Sequence, residues 1–548
     1  MLAEHLLLTG LPAVFATLLA VRLGLRSVPL LLAVALAASG CVAMLGFWAF
    51  YATPLLGESF SFLVVLGSLA GSAWIWFDGV DRGALRPLLS PLALWALASG
   101  FILYLGFLHG GSAEPLEMSW TRFSQQLPAD NAIPRFFADW FYVHGHNGPP
   151  PPFADWLSSD RPPLQIGYVL YQRPFGGKGD LHYQVLGVVL QQLWVVGLWA
   201  LLCAARLRPF VRGLAVSATL LTDVVIVHGF FVWPKLIAAA FMLAALAIVL
   251  SEDWPLWRRR PAVAALFAAL CALAMLAHGS SVFFLVPLLV LGAIRGLPDW
   301  RWLGIAALVA VALLAPWSAY QKYADPPGDR LIKWQLGGSL EIDDRGSLET
   351  IVDGYREAGL GGTLENKWGN VTQLVGAGEV SKALREADES LGSGSVGGAI
   401  VALRFPRFFS LLPFLGFLLI GPLAMLFTRL RGRRPQSAEW RFAVTALVLA
   451  AGACLLWVLL MFGGPGSGTT IHVGSLVVPL LAACGCVVGA YACDCRLGVG
   501  LAALNALFVL VLFVPALSPP PGSSYSPIAA LAAAAALAGF GWVALRSD

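Results

Sequence analysis

The sequence predicts an all-α integral membrane protein, a polytopic helix bundle of about 13–15 transmembrane helices with two outer-face loop regions. Three observations carry this. Hydrophobic residues make up 58% of the 548 and charged residues only 12%, about half the charged share of an ordinary soluble domain. Mean hydropathy is +0.77, too apolar to cover a water-facing surface. Apolar runs of roughly 17–25 residues, long enough to cross a bilayer core as helix, recur along the chain. Helices alone satisfy every backbone group within one segment, so open sheets are excluded. A soluble globular, a disordered and a fibrous protein are excluded with them. A net charge of +4 is too small to suggest a nucleic-acid partner.

The apolar segments fall near 5–21, 28–48, 59–77 and 88–108, then 185–205, 213–230, 235–250, 261–278, 281–295 and 302–319, and finally 406–428, 442–462, 472–491, 498–516 and 526–544. They divide the chain into N-terminal membrane helices (1–108), a first long loop (109–184), central helices (185–319), a second long loop region (320–405) and C-terminal helices (406–548). Of the 35 Lys and Arg, 19 lie in the connections after every second helix or at the C-terminus. The other 16 lie in or beside the long loops, except Lys235. Short loops set orientation and long ones do not. This places the N-terminus outside, the C-terminus inside and both long loops outside. The Met1–His5 start has no basic region, so no cleavable signal peptide is expected. Most of the eight Cys sit in apolar stretches, where Cys behaves as a small hydrophobe. Cys493-Asp494-Cys495 lacks a second cysteine pair at zinc spacing.

Chemistry on a membrane scaffold concentrates in loops. In the first loop, Asp130-Asn131 precedes an amphipathic, aromatic-rich stretch, Ile133 to Tyr142, suited to lie along the membrane surface. A stiff Pro149–Pro152 run follows, and then Ser159-Asp160-Arg161-Pro162-Pro163-Leu164. Asp130 and Arg161 are 31 residues apart. Asp130 is a candidate base for an acceptor hydroxyl. Arg161, always charged, suits a departing phosphate. Asp160 is a second candidate catalytic acid, and Asn131 a substrate-binding candidate. The alternatives are a helix cap for Asp130-Asn131 and a structural Asp160–Arg161 ion pair at the membrane edge.

An early loop acid followed about thirty residues later by a basic residue and Pro-Pro-Leu resembles the GT-C glycosyltransferases. Within these, it is similar to the protein O-mannosyltransferases and the lipid A aminoarabinose transferase. The resemblance covers roughly 120–175 by motif and the rest by architecture. It implies a polyprenyl-phosphate sugar donor and an inverting transfer to a lipid, glycan or protein acceptor at the outer face of the plasma membrane, and the Ala/Arg/Leu-rich composition without eukaryotic signals suggests a bacterial one. It implies no redox cofactor, no ATP and no metal.

Other polar groups extend the candidate set. Lys235 is the only basic residue in a short outer connection, either a second phosphate ligand or a side chain reaching for head groups. His278, in the outer turn with Gly279-Ser280-Ser281, is a further substrate-binding candidate. Asp223 sits inside an apolar segment, where an acid is a functional candidate by default. Asp139 and Asp155 read as water-facing, and His144-Gly145-His146 as a loop pair without a metal. Gly463 to Thr470 reads as a flexible turn lacking the Lys of a phosphate-binding loop, and His472 beside it stays open. The second loop, with Asp325 to Trp334 entering a helix and an amphipathic Asp343 to Gly362, is either a lid or a solvated cap. Two other classes compete: an O-antigen ligase or polysaccharide polymerase, which would rely on outer Arg and His clusters, and a lipid or solute transporter, which would centre on Asp223.

Overall fold

A computed structural model of the chain describes residues 1–123, 127–404, 411–432, 435–464, 473–514 and 524–546. Among the described residues the regular elements are all helical, with one isolated bridge between Phe153 and Trp156. Eleven helices among the described residues are long and apolar enough to cross a membrane: Leu2–Arg22, Val28–Ala52, Pro54–Phe77, Arg82–Gly106, Asp180–Ala204, Trp300–Ala324, Pro413–Leu430, Ala438–Leu460, Val473–Cys493, Cys495–Phe513 and Pro527–Arg546. A twelfth candidate is broken, with Pro209–Leu220 and Asp223–Phe231 meeting at 62°.

The expected count of about 13–15 is therefore too high by this criterion. The difference lies in Lys235–Leu250, Pro261–Ala277 and Gly279–Ile294, which are helical but short. At 16 and 17 residues, the first two rise about 24–26 Å, less than a bilayer core of roughly 30 Å. Lys235–Leu250 does not need the full length, because it is buried inside the bundle among Val28–Ala52, Trp194–Ala204 and Pro261–Ala277. Small residues allow that packing. At Gly197 a Cβ would collide with the Ala240 carbonyl of this central helix. The outer helices show the opposite pattern: Pro54–Phe77 and Trp300–Ala324 are mostly exposed and apolar, as lipid-facing surfaces are.

The first loop region is more structured than a linker. It holds a Pro115–Thr121 helix, a tight turn at Ala129–Ala132, the Ile133–His144 helix and a turn at Ser158–Asp160. Ile133–His144 buries Ile133, Phe137 and Phe141 on one face, as its amphipathic pattern requires. The region then re-enters the bundle as Leu164–Gln172, buried at every position. Nine residues rise only about 14 Å, so no length test finds this helix. Polar side chains tie it to the first two helices: Tyr168 to Ser39 at 3.0 Å, Gln172 to His5 at 2.8 Å and to Thr9 at 2.9 Å.

The second loop region is also helical, with Arg330–Gly337, Ser347–Val375, Ala377–Gly392 and Val396–Arg404. It docks onto the first through a polar seam. Asp325 Oδ2 accepts from Ser158 Oγ at 2.6 Å and from the Ser159 amide at 2.9 Å. Gln321 Nε2 donates to the Ser159 carbonyl at 2.9 Å. Arg330 reaches Asp155 at 3.0 Å and Asp160 at 3.5 Å.

Candidate functional site

The Pro-Pro-Leu segment launches the buried Leu164–Gln172 helix, with Pro163 as its N-cap and the Pro163 carbonyl accepting from Gly167 at 2.9 Å. Proline preorganises a helix start without wasting an amide donor. Arg161 is therefore held just outside a fixed helix end. Its Nη2 lies 3.1 Å from Asp130 Oδ2, and both side chains are largely buried, at 14% and 18% exposure. The 31-residue spacing thus closes into a direct ion pair. Asp130 does not cap the following helix, which has no side-chain cap hydrogen bond. The Arg161 guanidinium also lies over Trp156, 4.2 Å from the ring centroid, and Arg330 lies 5.0 Å from the same ring. Burial pulls the Arg161 guanidinium below its ordinary value, and Asp130 and then Asp160 oppose that shift.

Asp160 has a different environment. It is 2% exposed. Its Oδ2 accepts from the Leu157 amide at 2.9 Å and faces Arg330, closing the Ser158–Asp160 turn. Burial pushes its carboxyl up, while the Leu157 N–H and the Arg330 and Arg161 charges oppose this. Asn131 is buried as well, and its amide nitrogen bonds the Leu116 carbonyl at 3.2 Å and Ser119 Oγ at 2.5 Å. That fixes the turn carrying Asp130 to the Pro115–Thr121 helix. The Asn131 carbonyl accepts from Tyr183 at 2.6 Å.

Lys235 comes to the same place from the bundle side. It is 1% exposed and interacts electrostatically with Asp130 and Arg161. Its ammonium lies 3.9 Å from the Trp233 ring centroid. It opens the Lys235–Leu250 helix, where the positive end of the helix dipole repels a cation. Among the described residues, no carboxylate forms an ion pair with it. Asp223, also fully buried, opens the Asp223–Phe231 helix just after the break and is not the acid that Lys235 meets. His278 and His228 interact with Lys235, and His278 with Arg161 as well.

The backbone around Lys235 is strained in an informative way. Val232 has φ +56°, a left-handed conformation that a β-branched residue rarely adopts. Three glutamines serve the backbone groups that the helix break exposes. Gln184 donates to the Phe230 carbonyl at 2.6 Å and Gln165 to the Val232 carbonyl at 2.9 Å, while Gln191 accepts from the Leu236 amide at 3.0 Å. Gly187 leaves room for Val232, since a Cβ there would lie 2.6 Å from the Val232 Cβ. A second irregular turn faces it. Gly474, Ser475 and Leu476 are all left-handed and buried. Ser475 Oγ lies 2.8 Å from Ser280 Oγ, which lies 2.9 Å from His278 Nδ1.

Four of the six candidate residues, Asp130, Arg161, Lys235 and His278, thus interact as one cluster, with Asp160 and Asn131 behind it in supporting contacts. Sequence reasoning missed His228, the three glutamines, Tyr183, Ser280 and Ser475. Of these, Gln191 alone carries a local signal, as half of the Gln191-Gln192 pair in an apolar stretch. His144 stacks on Trp140 at 4.1 Å and His146 bonds the Ala52 carbonyl. Asp155 pairs with Arg330, and Asp139 with Arg135 and Arg173. Among the described residues, no group of three His, Cys, Asp or Glu is placed to hold a metal. Residues 465–472, with His472 and most of the Gly-rich turn, lie outside the described residues. No family model, curated protein or solved structure matches the chain.

Proposed function

We propose that the chain is a membrane glycosyltransferase that takes a sugar from a polyprenyl-phosphate carrier and passes it to a lipid, polysaccharide or protein hydroxyl at the outer face of a bacterial plasma membrane. The observation that carries this reading is one carboxylate, Asp130, set against two largely buried cations, Arg161 and Lys235, at the mouth of an apolar bundle. Asp160 lies beside Arg161 as well, but no carboxylate among the described residues forms an ion pair with Lys235, so an anion of phosphate type suits this pair of cations. The apolar bundle suits the prenyl chain of such a donor.

In this reading the donor phosphate draws Arg161 away from Asp130 and sits against Arg161 and Lys235, with His278 as a further polar contact. The acceptor oxygen attacks the anomeric carbon and its proton passes to Asp130. The bond from that carbon to the phosphate oxygen breaks, its electron pair stays on the phosphate, and the two cations offset the new charge. Attack opposite the leaving group inverts the anomeric centre. Asp160 and Asn131 act as positioning residues, holding Arg161 and Asp130 through the turn contacts above.

A polymerase or ligase would use the same cations without needing Asp130. The broken helix at Asp223 favours the transporter reading, because discontinuous helices often line transport sites. Purified protein supplied with radiolabelled polyprenyl-phosphate pentose or hexose and membrane extract distinguishes the three. Transfer that needs Asp130 supports the proposal, transfer that survives Asp130→Asn supports a ligase, and movement of intact donor between leaflets without bond cleavage supports a transporter.

A further inference from the structure

A second pair of cations lies outside this cluster. Arg122 follows the Pro115–Thr121 helix and is only 3% exposed. None of its three guanidinium nitrogens has a hydrogen-bond partner among the described residues. Arg404 ends the Val396–Arg404 helix. Its Nε donates to the Leu512 carbonyl, but its Nη2 is buried without a partner among the described residues. The two guanidinium groups repel one another. Arg404 lies 5.9 Å from the Phe513 ring, and Phe513 packs edge-on at 5.8 Å against Phe123, the residue after Arg122. Burial pushes both guanidinium groups down to about 10.

Among the described residues, no carboxylate relieves this repulsion. Neither arginine forms an ion pair among the described residues. The internal stretches outside them, 124–126, 405–410, 433–434, 465–472 and 515–523, contain no Asp or Glu. Two buried, like-charged groups with unused donors are unfavourable unless something completes them. Planar guanidinium groups with adjacent free N–H pairs match phosphate oxygens in a bidentate fashion.

We propose that Arg122 and Arg404 form a second anion site, which takes a phosphoryl group. Its place suggests what carries that group. Ser119, one helical turn before Arg122, holds Asn131, and Asn131 adjoins Asp130. The second site therefore shares a support with the candidate base. The acceptor is then a phosphate-bearing molecule whose hydroxyl is presented to Asp130. That assignment of the occupant rests on the glycosyltransferase reading, whereas the anion site itself does not.

Calorimetric titration of the full-length protein in detergent with inorganic phosphate, at constant ionic strength, tests the site. Wild type should bind two phosphates. Arg161→Gln should lose one, and Arg122→Gln or Arg404→Gln the other, each with at least a tenfold loss of affinity. Without phosphate, Arg122→Gln should melt at or above the wild-type temperature, because one repelling charge is gone. Wild-type stoichiometry in both Arg122→Gln and Arg404→Gln would overturn the proposal. So would an equal drop in melting temperature with and without phosphate, which marks a structural arginine. If phosphate binds only at Arg161, the second site fails while the donor reading stands. If it binds only at Arg122 and Arg404, the donor cradle fails while this proposal stands. Repeating the titration in nanodiscs identifies the source. Loss of the Arg122-dependent phosphate in phosphatidylglycerol but not phosphatidylcholine discs supports a lipid head group, and its persistence in both supports a soluble phosphate ester.

Discussion

Replacing Lys235 by methionine separates a ligand-binding cation from a structural one, because the two roles move stability in opposite directions. Methionine keeps the unbranched apolar stem and removes the charge. In the ligand-free protein the ammonium is buried, opposes the helix dipole and faces the like charge of Arg161. The dipole alone disfavours a cation there by about 0.3–1 kcal/mol, and by up to about 2 kcal/mol when partly buried. The Trp233 ring returns about 0.5–2 kcal/mol through its cation–π contact, and Asp130 adds some attraction. Desolvation of an unpaired charge then tips the sum. Lys235→Met should leave the free protein as stable as wild type, or more stable by about 1–2 kcal/mol. Losing one charge-assisted donor to the developing phosphate should lower the transfer rate about 10²–10³-fold, roughly 3–4 kcal/mol. Thermal unfolding in detergent and single-turnover transfer measure the two quantities on one preparation. A variant that melts well below wild type and transfers at the wild-type rate would refute the reasoning and make Lys235 a packing residue.

Three further outcomes follow from the geometry. Gly187→Ala forces a Cβ against Val232, so it should destabilise by about 1–3 kcal/mol and weaken donor binding, read by thermal unfolding and donor titration. Asp325→Ala leaves the Ser158 hydroxyl and Ser159 amide without their acceptor, at about 1–3 kcal/mol for a buried donor; faster limited proteolysis between 325 and 404 and reduced transfer should follow. Asp160 gives a pH dependence of definite sign. Its folded carboxyl is held above its unfolded value near 3.9, so the folded state binds that proton more tightly. The associated stability is fully present below the unfolded value and is lost as pH rises through the folded one. Asp160→Asn should flatten this segment of the stability–pH curve while retaining measurable transfer.

Much of the scaffold was legible because a bilayer imposes one length and one polarity on every spanning segment. The fifteen apolar runs fall largely on helices, apart from residues 406–410, 472 and 515–516, which lie outside the described ones. The shorter helices read as spans because apolarity alone fixes neither where a helix starts and stops nor whether it is enclosed, as Lys235–Leu250 is, or partly exposed, as Gly279–Ile294 is. Leu164–Gln172 escaped notice for the converse reason, being enclosed but too short for any hydropathy window. At the site, Asp130 and Arg161 were legible because charge in an otherwise apolar chain is scarce and their spacing is suggestive. Lys235 was legible because it breaks the topological pattern of basic residues. The glutamines that hold the strained Phe230–Leu236 backbone were not, since their partners lie 45 to 67 residues away. No local pattern encodes a bond across that distance. Arg122 was equally silent: among the loop's other charges, only its burial without a partner distinguishes it.

On the proposed function, Asp130 and its two cations cleave a polyprenyl-phosphate sugar. Release of polyprenyl phosphate in a single turnover, by purified wild type and by Asp130→Asn with membrane extract as acceptor source, measures it directly. Wild type should release polyprenyl phosphate and the variant should lose about 10²–10⁴-fold in rate, with both proteins folded and both binding donor. Equal release by the two proteins, or none by wild type with any pentose or hexose donor, would contradict it.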